Sequence, residues 1–128
     1  MPQYDYGEHH YAQALVEIQK ICPQSDEEQQ ERYLLMAFGN ALSASRGWAL
    51  RGMDAIDYAL MVRYGWSPLT LRQLSPREKG LALHETLLAL SLDDAAVTVW
   101  QENFGRHSYM DNLTLEALWY PNGEWPGM

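Results

Sequence analysis

Serines placed just ahead of apolar runs cut this chain into short helices. Ser75-Pro76-Arg77-Glu78 joins an N-cap hydroxyl, a proline at the first helical position and a glutamate three residues on, the pattern of a reciprocal capping box. Ser67-Pro68 repeats the first two features, and Ser25 with Glu28 repeats the serine and the glutamate. A chain that restarts its helices this often folds by packing short helices on one another.

Between the starts, apolar residues recur at helical spacing. Tyr11, Leu15, Ile18 and Cys22 share one face and predict a first helix from about Glu8 to Ile21, ended by Pro23. The second runs from the Ser25 cap through Leu34, Leu35, Phe38 and Leu42, with a break near Ser45 to Gly47. Along it Gly39, Ser43 and Gly47 recur every four residues, a small face that admits the close approach of another helix backbone. Asp54 is the expected N-cap of a third helix through Ile56, Leu60 and Arg63, stopped by Gly65. A short helix follows from Pro68 to Leu74.

From Ser75 a fifth helix is expected to reach about Leu90, with Leu81, Leu83, Leu87, Leu88 and Leu90 spread broadly enough for a central, buried element. Ser91, Asp93 and Asp94 signal another start. The segment Ala96 to Trp100 then reads as helix by spacing, with a strand as competitor because Val97, Thr98 and Val99 are β-branched. A last short helix is expected near Asn112 to Trp119, and residues 1–7 and 121–128 are expected to be irregular. The fold class is therefore all-α: one domain over residues 1–128, a single compact irregular bundle of about five to seven helices with an irregular C-terminal tail.

Of the 128 residues 47% are hydrophobic and 12% aromatic, enough to enclose one core without staples. Charged residues interrupt every apolar run, so no membrane association is expected. Met1 to Gly7 lacks the pattern of a targeting leader, so a cytoplasmic location is expected. Cys22, the single cysteine, allows no internal disulfide and reads as a buried structural thiol at a helix end.

Motifs for catalysis are hard to find. His9 and His10 are adjacent and point about 100° apart on a helix, so they do not form the i, i+4 pair of a helical metal site. His84-Glu85 begins like a metalloprotease motif, but Leu88 stands where its second histidine belongs. A dispersed site would need His10, His84, Glu85 and His107 to converge through the fold. The carboxylate pairs Asp54 with Asp57 and Asp93 with Asp94 lie at expected helix starts, where capping and the helix dipole account for them. Neither a phosphate-binding glycine loop nor a nucleophile elbow is present. The reading is a protein that is not an enzyme and uses no metal or cofactor.

Charge is more informative. The net charge of −8 is distributed as −5 over residues 1–45, +3 over 46–79 and −6 over 80–128. An acidic chain is a poor ligand for phosphate backbones, so no direct nucleic-acid binding is expected. The basic middle block mixes Arg46, Arg51, Arg63, Arg72, Arg77 and Lys79 with Trp48, Tyr64 and Trp66, and Arg63 and Arg72 are expected to pair with acids of the flanks. Five Trp and eight Tyr accompany the acids, and such aromatics are enriched at binding hot spots. Tyr4 and Tyr6 form one candidate aromatic surface near the N-terminus.

The expected function is an acidic binding protein that occludes a basic protein or a nucleic-acid-processing complex. An immunity protein, antitoxin or anti-defence inhibitor would act in this way. Its expected contact residues are Asp26, Glu27, Glu28, Glu31, Asp93 and Asp94 for steering, with Tyr109, Trp119, Tyr120 and Trp125 as anchors. The alternatives are a structural protein that forms a homo-oligomer through helix faces, and an enzyme with a dispersed His/Glu site.

Overall fold

A computed structural model of the chain describes residues 7–104, which form seven helices. These are α1 (Gly7–Ile21), α2 (Asp26–Arg46), α3 (Met53–Tyr64), α4 (Pro68–Arg72), α5 (Pro76–Ala82), α6 (His84–Leu88) and α7 (Asp94–Phe104). The serine signals open their helices as expected. Ser25 Oγ accepts the Glu28 N–H at 3.1 Å, Ser67 Oγ accepts that of Thr70 at 3.2 Å, and Ser75 with Glu78 forms the full reciprocal box. The expected helix near Asn112 to Trp119 and the tail from 121 to 128 lie outside the described residues.

The longest helix, α2, is the hub. Its central stretch, from Tyr33 to Ser43, is buried at every position, because α1, α3 and α5 all pack against it. The first two helices are antiparallel: Gln29 Nε2 near the start of α2 donates to Cys22 O after the end of α1, and Asn40 far along α2 donates to Tyr11 OH near the start of α1. Helix α7 packs along α1. Between them lies an aromatic ladder, Tyr11 to Tyr33 to Trp100, all fully buried, with successive centroids 6.3 and 6.0 Å apart. The Tyr33 hydroxyl donates to Ala96 O at 2.6 Å. Burial, and then the nearby Asp93 carboxylate, push its pKa up, so it stays a donor. Ala96, Val99 and Trp100 are buried on one helical face, which is why this segment is helix and not strand.

Three expectations need correction. Asp54 is not the N-cap of α3. That position is Gly52, whose carbonyl accepts from Ala55 and Ile56, and Asp54 falls in the first turn. At φ 55°, ψ −131° Gly52 occupies backbone space that L side chains avoid, so a serine or aspartate cap cannot replace it there. The fifth helix is likewise not continuous to Leu90. Leu83, at φ −108° and ψ 18°, ends α5, and α6 begins at His84. The break lets Leu83 and Leu87 face the core but leaves Leu81 and Leu88 exposed, so this element is buried on one side only.

Arg63 and Arg72, finally, do not meet the described acids of the flanks as expected. Among the described residues Arg63 and Arg72 form no ion pair, and Arg63 Nη1 instead donates to Thr86 Oγ1 at 3.3 Å. One ion pair that does tie helices together is internal to the block: buried Lys79 on α5 meets Asp57 on α3 at 2.8 Å. Desolvation offsets most of the attraction in such a pair, whereas removing one partner strands the other charge. Lys79→Met leaves the charge of Asp57, whose side chain is 33% exposed and so can be rehydrated, and is expected to change unfolding free energy by less than about 1 kcal/mol. Asp57→Ala strands the ammonium of Lys79, whose side chain is 9% exposed, and is expected to lower it by about 2 kcal/mol, below the usual range for buried pairs because the flexible lysine stem can turn its head toward water. Urea denaturation of both variants checks the contrast, and equal losses would refute it.

Candidate functional site

The acidic residues expected to contact a partner divide into two groups. Glu27, Glu28 and Glu31 occupy the first turns of α2, beside the end of α1. Asp93 and Asp94 open α7, beside Gly7 and Glu8 at the start of α1. Cys22 follows Glu8 by fourteen residues along α1 and its end, so the groups stand about 20 Å apart. The fold places them at opposite ends of one helix.

Within the α2 group the carboxylates differ. Glu27 is exposed. Glu28 Oε2 accepts from Arg32 Nε at 3.2 Å, and this bond, then the neighbouring Cys22 thiol, holds its pKa below the ordinary carboxyl value. Glu31 is half-buried: burial and then Glu27 push its pKa up, against the pull of Arg77 on α5. Asp26 is the first residue of α2, and its side chain lies outside what is described. Cys22 is buried, donates to Ile18 O at 3.3 Å, and has its pKa raised by burial and the adjacent Glu28. A thiol in that state is a poor nucleophile.

At the other end, Glu8, Asp93 and Asp94 line a cleft of about 480 Å³ with Leu92 and Thr98. Asp93 is only 7% exposed and closes the first turn of α7. Its carboxylate accepts from Ala95 N at 3.2 Å, and its carbonyl accepts from Ala96 and Val97. Its role here is that of a cap. Asp94 and Glu8 are exposed and so present their charge to solvent.

His10 lies close to this end. Burial, then the Arg51 cation, hold its pKa below the ordinary 6.5, with Asp93 opposing. The folded chain thus favours neutral His10. Its contribution to stability is complete above about pH 6.5 and declines as pH falls through that value, because the unfolded chain takes up the proton more readily. Denaturation midpoints between about pH 8 and pH 5.5 are expected to drop more steeply for the native chain than for His10→Gln. Parallel profiles would contradict this.

No three His, Cys, Asp or Glu side chains among the described residues are grouped to hold a metal ion. His107 lies outside the described residues, as do Tyr4, Tyr6, Tyr109, Trp119, Tyr120 and Trp125. No helix of the described residues is long and apolar enough to cross a membrane.

One surface escaped the sequence reading. Helix α3 is apolar on both sides, with Ala55, Ile56 and Leu60 inward and Tyr58, Met61 and Val62 outward. Its outer face borders a groove of about 210 Å³ whose lining includes Trp48, Val62, Arg46 and Arg63. The signal was present in the interleaving of those six residues, which sets large apolar side chains beside Asp54 and Asp57 on the face α3 turns to water. No protein-family model, curated protein or solved structure matches this chain.

Proposed function

We propose that the chain is a small non-enzymatic binding protein that covers a basic surface on a protein or on a nucleic-acid-processing complex, as an immunity protein, antitoxin or anti-defence inhibitor does. The observation that carries this reading is the state of the acids: Glu8, Glu27 and Asp94 are exposed and form no ion pair among the described residues, at the two ends of α1. Two charged ends about 20 Å apart fit inside one interface of ordinary size, which covers about 800 Å² per partner. Carboxylates so placed speed encounter with a cationic surface, while aromatic side chains supply desolvated anchors. Tyr109, Trp119, Tyr120 and Trp125 are the anchor candidates.

The test begins with copurification on the full chain to identify the partner, which the reading expects to be basic. Association is then measured against salt. Glu27→Lys combined with Glu31→Lys, and separately Glu8→Lys with Asp94→Lys, are each expected to slow association roughly tenfold at low salt, the difference shrinking as salt screens it. An acidic partner, or rates indifferent to both salt and charge reversal, would reject the reading.

A further inference from the structure

The second docking surface has the opposite character. The groove beside α3 is floored by Leu42, Ala59 and Leu83, walled by Trp48 and Val62, and rimmed by Arg46 and Arg63. Leu83 reaches it because the chain breaks there between α5 and α6. Val62 is 66% exposed, and Tyr58, also exposed, extends the apolar surface by packing edge-on against Trp48 at 4.8 Å. A volume of about 210 Å³ is below the 300 Å³ or so of a drug-sized pocket, and suits one large side chain.

The charge of the rim selects the occupant. Among the described residues no acid lines the groove, and neither Arg46 nor Arg63 forms an ion pair. Arg63 is already oriented by Thr86 Oγ1 and by the Tyr64 ring, 5.5 Å from its guanidinium carbon, so little freedom is lost when it takes a carboxylate. A second copy of this chain paired face to face would set the two basic rims against each other. A nucleic acid would leave the apolar floor unused, and its backbone needs more cations than two.

We infer that this groove docks an acidic segment of a partner protein, which seats a large apolar side chain between Trp48 and Val62 and pairs carboxylates with Arg46 and Arg63. Apolar anchors in a pocket and Arg-carboxylate forks are established modes of peptide recognition. The inference does not rest on the acidic ends of α1, which lie on other elements.

The test is selection of a random peptide display library, about 16 residues or some four helical turns long, on the full chain. The expected consensus is a large aliphatic or aromatic residue flanked by Asp or Glu. Selected peptides should bind at least about tenfold more weakly to the variant Arg46→Glu with Arg63→Glu, and to Val62→Glu, while Arg46→Lys with Arg63→Lys, which keeps the charge but loses the fork, gives an intermediate loss. Unchanged circular dichroism and melting temperature exclude misfolding as the cause. The inference is overturned if no peptide is selected, if the consensus lacks acids, or if binding survives the Glu variants. It is equally overturned if a single-stranded oligonucleotide displaces the peptides, or if sedimentation shows self-association that Val62→Glu abolishes.

Discussion

Gly39→Ala is expected to destabilise the chain by about 2 kcal/mol, although alanine is the better helix former by about 1 kcal/mol. A Cβ at position 39 would stand 2.0 Å from Gly52 O and 2.6 Å from Gly52 C. Those atoms are backbone and cannot swing aside as a side-chain tip can. The loop before α3 would have to lift off α2, and overpacking of this kind typically costs about 3 kcal/mol, from which the propensity gain is subtracted. Thermal unfolding should fall by roughly 5–10 °C. An unchanged or raised melting temperature would show that the contact between Gly39 and Gly52 is looser than described.

Asn40→Leu should be costlier, at about 3 kcal/mol, for a different reason. Asn40 is fully buried, its Oδ1 accepts from Gly52 N at 2.8 Å, and its Nδ2 donates to Tyr11 OH at 3.2 Å. Leucine fills similar space but leaves the Gly52 N–H buried without its acceptor, a loss of about 1–3 kcal/mol on its own. It also unties α1 from the turn that opens α3. Hydrogen exchange at the Gly52 amide should accelerate roughly hundredfold, the equivalent of about 2.7 kcal/mol, and more than at Trp100 in α7. Exchange that rises equally at both sites would mean global destabilisation and not release of this turn. Because Gly39 and Asn40 both hold Gly52, the two effects should combine less than additively.

These neighbours illustrate where sequence reading reached and where it stopped. The small residues Gly39 and Ser43 announced a close approach, which the structure bears out. The approaching backbone belongs to Gly52, just ahead of α3, and no spacing rule names it. Ser43 Oγ reaches the carbonyls of Trp48 and Leu50 in the same connection, contacts that depend on how the chain turns after Gly47.

The candidate sites divide in the same way. Acid-rich helix starts were legible because capping and the helix dipole act within a few residues. The Asp93 cap and the Glu28–Arg32 pair are equally local, whereas the placing of the two groups at opposite ends of α1 emerged only with packing. The basic groove was illegible as a site: Arg46, Trp48, Val62 and Leu83 come from separate elements, and the break at Leu83 that brings them together carries no glycine or proline to mark it.

By itself, then, the sequence determined the all-helical class, the serine-led helix starts, the left-handed stops at Gly47 and Gly65, and the uneven charge. Each rests on interactions between residues no more than a turn or so apart, where chain connectivity already supplies the geometry. The tertiary structure alone decided that Gly52 caps α3 and that Lys79 takes Asp57. These depend on residues distant in the chain competing for one core, and that competition is settled by burial.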